Sequence, residues 1–230
     1  MTRTIPVFPL DLVLFPRQEL PLRIFEPRYK QMVDDCMLGD GQFGVCLVDR
    51  SSDVSGWEAP RMTGTLAKIT RCEDASPDGM QLLLEAVGRN PFHISRIIPP
   101  SIPRPGGYDP GSLDGHRAIS EMNEGAGGGV MYLRAEAEML PEIDGSVPLS
   151  RWEGLVDGWK RSAASRAGRD IDPRELDMLL ERYYLRTETP TPDYVYSLAA
   201  LCASAPEDLQ PILESRDMEE LLKRTGDLVG

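Results

Sequence analysis

Four prolines, at positions 6, 9, 16 and 21, interrupt an apolar, strand-like segment and restrict what the N-terminus can build more than any other feature. Proline lacks the amide that a sheet ladder needs and fixes its own φ, so such a segment can serve only as an edge or an interrupted strand pair. Between the prolines, Phe8, Leu10, Phe15, Leu22, Ile24 and Phe25 supply apolar area for a sheet core. Pro27 then suits a first helical position, and Tyr29, Met32, Val33 and Cys36 recur at helical spacing. Glu26 stands where unpaired amides and the helix dipole favour a carboxylate, with Arg23 and Arg28 available to pair with it. Gly39 offers the stop.

Short β-type runs follow. Residues 43–48 form a continuous apolar run of buried-strand length, 66–72 are half polar, and 82–87 and 92–98 come close behind. Pro77, Asp78 and Gly79 have the chemistry of a tight hairpin turn, so an antiparallel sheet with short connections is expected. Residues 100–129 are rich in Pro, Gly, Ser and acid, and longer than ordinary loops. They read as an insertion that modulates partner choice without supporting the fold. Their few apolar residues, Ile102, Tyr108, Leu113, Ile119 and Met122, leave little to bury, although 118–122 could dock one helical turn on the sheet. Tyr132, Leu133, Ala135, Ala137 and Met139 then return as a final strand.

After Pro148 every segment is helical by pattern. Trp152, Leu155, Val156 and Trp159 form one stripe behind a Ser150/Glu153 capping box; Asp172, Pro173 and Glu175 open a second helix that carries Leu176, Leu179, Leu180 and Tyr183 inward. Thr191 and Pro192 open a third with Val195, Leu198, Ala199 and Cys202, and two shorter helices surround 209–213 and 218–222. The chain therefore reads as α+β: a β subdomain over 1–147, with the insertion at about 100–130, and an α-helical bundle over 148–230.

The search for chemistry returns mostly absences. No phosphate-cradling GxxxxGK[ST] and no GxGxxG occurs, so ATP hydrolysis and dinucleotide binding are unsupported. His93 and His116 stand alone, His93 on the solvated side of its strand, and Cys36, Cys46, Cys72 and Cys202 show no metal or dithiol spacing. There is no GxSxG elbow, and Lys30, Lys68, Lys160 and Lys223 read as surface residues. No catalytic, cofactor-binding or metal residue is nominated. A net charge of −12 weighs against nucleic acid and anionic membrane, which clustered Lys and Arg normally meet. Without a long apolar run or a secretory leader, the chain is expected to be cytoplasmic.

One segment carries specific information. The run IPVFPLDLVLFPRQELPLRIFEPRY, residues 5–29, resembles the opening signature of the N-terminal, substrate-binding domain of the Lon protease family. Its marks are Pro9, Phe15, Pro16, Pro21, Phe25, Glu26, Arg28 and Tyr29. The likeness continues through Phe43-Gly44-Val45, residues 64–69, Asp78-Gly79, Gly88-Arg89 and Phe92-His93-Ile94. Residues 132–136 resemble the strand that closes the family's β subdomain, and 208–214 resemble a late helix of stand-alone members. The resemblance implies a PUA-like pseudo-barrel with one helix, followed by helices, that engages substrate polypeptides. The ATPase and Ser-Lys peptidase domains of the full protease are not expected here. Residues 100–129 are longer and richer in glycine than the family's connection at that place.

The leading expectation is thus a non-catalytic module for unfolded or client polypeptides, acting alone or beside a separate protease, with its oligomeric state open. The alternative is RNA binding through a PUA-like sheet, which would need a basic groove with stacking aromatics; an undetected hydrolase has only the family name in its favour. Trp57, Met62 and Tyr108 are the candidate polypeptide contacts, the first two because large apolar residues in a polar connection must be covered or used. Trp57 could instead tuck onto the sheet edge. The Glu26 cluster could clamp peptide or simply maintain the fold.

Overall fold

The computed structural model describes residues 2–75, 81–167 and 172–230, with backbone only at 166, 167 and 173; the expected turn at residues 77–79 lies outside them. The chain divides into two compact units, Met1–Leu140 and Pro141–Gly230.

The first unit holds strands β1 (Thr2–Leu10), β2 (Glu19–Ile24), β3 (Gln42–Val54), β4 (Trp57–Asp74), β5 (Leu82–Ile98) and β6 (Leu133–Met139), with helices α1 (Pro27–Leu38) and α2 (Leu113–Gly125). The sheet order is β2-β5-β4-β3-β1-β6, and a further β5–β6 pairing closes five of the strands into a barrel, leaving β2 attached only to β5. All pairings are antiparallel except β1 with β3, which run parallel from Val7↔Gly44 to Leu10↔Leu47. That pair departs from the wholly antiparallel sheet expected: β2, which runs opposite to both, and α1 lie between β1 and β3 in the chain and together form the crossover a parallel pair requires. β1 is an interrupted strand in the sense the prolines dictate. Its first part, with Pro6, pairs with β6, and its last part, with Pro9, pairs with β3. The two runs at 82–87 and 92–98 are one strand, β5, which serves β2 and then β6 along the same side.

The barrel interior is filled by Ile5, Val7, Cys46, Leu66, Phe92, Ile94, Leu133, Ala135 and Ala137. Phe92 occupies the space left by absent side chains: a Cβ on Gly64 would stand 2.4 Å from the Val45 carbonyl oxygen and 2.9 Å from the Phe92 ring. Backbone cannot yield there as a side chain would, so Gly64→Ala should lower stability by about 2–3 kcal/mol, read as a fall in urea midpoint. A second core cluster sits between α1 and the sheet, where Tyr29, Met32, Val33 and Cys36 meet Phe8, Phe43 and Leu84 as their spacing implies.

Residues 100–129 belong to the fold, a correction to the tolerated excursion expected. Ile102, Tyr108 and Ile119 are buried with Trp57 and Met131 in a third cluster. Ser112 caps α2 by accepting from the Gly115 amide at 3.0 Å, and the segment is tied at both ends. Arg104 N–H donates to the Ser55 carbonyl at 2.9 Å, and Ser101 N–H to that of Val130 at 2.8 Å. Beyond it, Gln31 of α1 donates to the Gly129 carbonyl at 3.0 Å and accepts from the Met131 amide at 2.7 Å. Three well-placed apolar residues offset the ordering entropy that average composition made look prohibitive.

The second unit is helical: α3 (Leu149–Ala167), α4 (Pro173–Arg182), α5 (Pro192–Cys202), α6 (Pro206–Leu213) and α7 (Met218–Val229). α3 begins one residue before the Ser150 expected to cap it, with Pro148 O accepting from the Arg151 and Trp152 amides at 2.9 and 3.1 Å. Trp152, Leu155, Trp159, Val195, Leu198, Ala199 and Cys202 are buried as read. Of the α4 stripe only Leu176 and Leu180 are buried. The helix ends before Tyr183, Tyr184 takes a left-handed φ of 56°, and Leu185 turns inward in place of Tyr183. Among the described residues no helix is long and apolar enough to cross a membrane.

Candidate functional site

The densest side-chain chemistry in the barrel unit gathers where α1, β4 and the 100–108 segment meet. Glu26 is the N-cap of α1, yet its carboxylate makes no cap hydrogen bond. It accepts from Arg28 Nε at 2.8 Å and from the Tyr108 hydroxyl at 3.2 Å. Arg28 also donates to Glu58 at 3.3 Å, and Arg104 reaches the other Glu58 oxygen at 2.7 Å. Two cations thus meet two carboxylates. The Arg28 guanidinium lies between rings, 4.2 Å from the Tyr29 centroid and 4.1 Å from that of Trp57. A planar cation presents both faces to such a sandwich while its edge serves the carboxylates. Trp57 donates its indole N–H to the Ile102 carbonyl at 3.0 Å and meets the Tyr108 ring edge-on at 5.3 Å.

The electrostatics match this balance. Burial alone would lower the Arg28 pKa, but Tyr29, Glu26 and Glu58 together outweigh it and hold the cation more firmly charged than usual. Burial likewise opposes ionised Glu58, yet its backbone amide, Arg28 and Arg104 together hold its carboxyl below the ordinary value of 4.5. Burial and the nearby Glu26 push the Tyr108 hydroxyl up. Glu58 therefore contributes stability above about pH 4.5 that is lost as pH falls through its depressed folded value. Glu58→Gln should lower the urea midpoint at pH 7, with the gap to the parent narrowing by about pH 3. An equal gap at both pH values would contradict the ionic role.

The residues nominated from sequence are only partly brought together. Trp57 and Tyr108 touch, but they are 0% and 8% exposed, so as folded they cannot offer a contact surface, which corrects that expectation. Trp57 is the first residue of β4 and not part of an open connection; its ring is covered by residues from 102 to 131. Met62 stands apart on β4, 42% exposed. Of the signature, Pro9, Phe15, Pro16, Arg28 and Tyr29 are buried, Phe25 and Glu26 half-buried, and Pro21 exposed. Arg28, not the exposed Arg23, takes Glu26. Sequence reasoning missed Glu58 and Arg104, which no local pattern distinguishes from surface charges.

Other chemistry is sparse. Among the described residues no group of three His, Cys, Asp or Glu side chains could hold a metal ion. Burial pushes the Cys36 thiol up to about 12 and the Cys46 thiol further, away from the reactive thiolate. His93 is exposed, 3.3 Å from the Thr63 hydroxyl.

A mixed barrel followed by a helical unit is the architecture of Lon N-terminal domains. The structure resembles the crystal structure of a Lon N-terminal domain protein from Xanthomonas campestris, with TM-score 0.58 and 20% identity over 96% of both chains. It also resembles the N-terminal domain of Mycobacterium avium complex Lon protease, with TM-score 0.57 and 14% identity over 99% of this chain and 98% of that one. These likenesses establish the fold. Residues 4–99 match the family described as the ATP-dependent protease La (LON) substrate-binding domain. A zebrafish (Danio rerio) protein, cereblon, is 33% identical over 97 residues, 41% of this chain; the match spans only 22% of cereblon's length.

Proposed function

We propose that this chain is a non-catalytic recognition module for polypeptides, binding exposed non-native segments of client proteins and acting in the cytoplasm, alone or with a separate protease. The observation that carries this reading is the match of residues 4–99 to the Lon substrate-binding domain. A chemical argument supports the absence of turnover. Among the described residues, the cluster around Arg28 pairs its cations and carboxylates with each other and holds residues 102–108 in place, with no nucleophile beside a base in it. The net charge of −12 favours polypeptide over RNA.

Fluorescence anisotropy with labelled, reduced and carboxymethylated α-lactalbumin tests the reading. Saturable binding to the unfolded form, absent for native α-lactalbumin and resistant to competing RNA, is the expected result. Equal affinity for both forms, or displacement by RNA, would overturn it. Purified protein should also leave ATP and casein intact; turnover that co-purifies at fixed specific activity would contradict the non-catalytic reading.

A further inference from the structure

β2 is the open edge of the sheet. Among the described residues it pairs with β5 on one side and with no other strand. The phase of that pairing is set at its start, where the Gly88 amide donates to the Gln18 carbonyl at 2.9 Å. The register then steps evenly from Glu19↔Val87 to Ile24↔Leu82. Alternation along an antiparallel ladder aims the backbone groups of Leu20, Leu22 and Ile24 at β5. The N–H and C=O of Glu19 and Arg23, and the C=O of Pro21, therefore face outward. Pro21 opposite Glu85 fits this phase, since its missing N–H removes nothing from the ladder. Glu19, Pro21 and Arg23, the residues whose backbone groups face outward, are exposed, while Leu20 and Ile24 are buried.

A second observation lies beside this edge. A cavity of about 220 Å³ is lined by Glu19 and Pro21 of β2, Glu85 and Val87 of β5 and Thr70 of β4. The register sets Glu19 and Glu85 diagonally across the strand pair, around the apolar surface of Pro21 and Val87. Carboxylates bordering apolar surface match a Lys or Arg side chain, whose stem is apolar and whose head is charged. Glu85 also meets Arg71 at 3.5 Å, but both are exposed and the pair is weak competition.

We infer that the outer edge of β2 takes an added strand from an extended polypeptide, with a basic side chain of that strand seated between Glu19 and Glu85. This rests on the polypeptide reading and assigns it a place and a substrate preference. The edge contributes main-chain hydrogen bonds and the cavity the selectivity. Pro21 leaves only two outward amides, so engagement is short and reversible and the edge is guarded against uncontrolled sheet extension. Self-pairing of two β2 strands is disfavoured by the same residue. The register that sets Glu19 against the copy's Arg23 also sets proline against proline and forfeits both central bonds.

Titration of a fluorescein-labelled peptide of alternating Thr and Lys tests the proposal, with two control peptides: one with Glu for Lys, one with alternate amides N-methylated. Both controls should bind at least about tenfold more weakly than the parent peptide. Glu19→Lys combined with Glu85→Lys, and separately Arg23→Pro, should weaken the parent peptide to a similar degree at unchanged urea midpoint. If Arg23→Pro fails to fold, the charge-reversal variant decides alone. Isotherms indifferent to these changes, or a dimer that Arg23→Pro dissolves, would overturn the edge site. If unfolded α-lactalbumin still binds in that case, the edge assignment fails and polypeptide recognition stands; loss of both removes both.

Discussion

Trp57→Ala should lower the unfolding free energy by about 3–5 kcal/mol, because it empties the centre of a closed cluster. The ring is fully buried, stacks on Arg28, meets Tyr108 edge-on and ties Ile102 through its N–H. Its loss strips three partners of contact and leaves the Ile102 carbonyl without that donor. Trp57→Phe keeps much of the apolar volume and should recover more than half of the loss. Urea titration of both variants checks this, and the denaturant slope adds a second readout, since detachment of residues 100–129 would expose surface before global unfolding. A variant of unchanged stability would mean that Trp57 belongs to an external surface after all.

Arg28→Ala should be comparably damaging, about 3–5 kcal/mol, for a different reason. Removing the central cation leaves Glu26, with 13% of its side chain exposed, facing Tyr108 and Glu58 without its counter-charge. Arg28→Met restores apolar bulk between the two rings but not the charge, and should fall between alanine and the parent. Arg28→Lys keeps the charge but lacks a planar face for Tyr29 and Trp57, and should also fall short of the parent. The diagnostic comparison is the double variant with Glu26→Gln. If the ion pair carries the cost, the two changes together destabilise by less than the sum of the single effects. Strict additivity would mean that stacking alone explains Arg28.

These two residues show where sequence reasoning reached and where it stopped. Helix α1 was legible because its information is local: Pro27 opens it, and Tyr29, Met32, Val33 and Cys36 are all buried. The prolines were equally informative, since the missing amide at Pro6, Pro9 and Pro21 dictates an interrupted β1 and an exposed β2 edge whatever else the chain does. The closure of the barrel by residues 133–139 is expected only through the family resemblance, and the parallel β1–β3 pair is not legible at all, because pairing partners far apart in sequence leave no periodicity behind. Residues 100–129 differ from their composition-based expectation for a related reason. Composition averages over a segment, while Ile102, Tyr108 and Ile119 act singly, each filling a place beside Trp57. The local sequence leaves Trp57 open between a contact surface and the sheet edge, because what covers it begins 45 residues downstream. The α4 stripe failed at its end because Tyr184 adopts a left-handed conformation that nothing in its own residue type favours.

The barrel unit, residues 1–140, is expected to engage non-native polypeptide. Hydrogen exchange followed by mass spectrometry, with and without saturating carboxymethylated α-lactalbumin, tests it most directly, because it reports where binding occurs as well as whether it does. Slowed exchange confined to the barrel unit, strongest in the peptide containing residues 17–25, is the expected result. Unchanged exchange throughout, or protection restricted to residues 141–230, would contradict it.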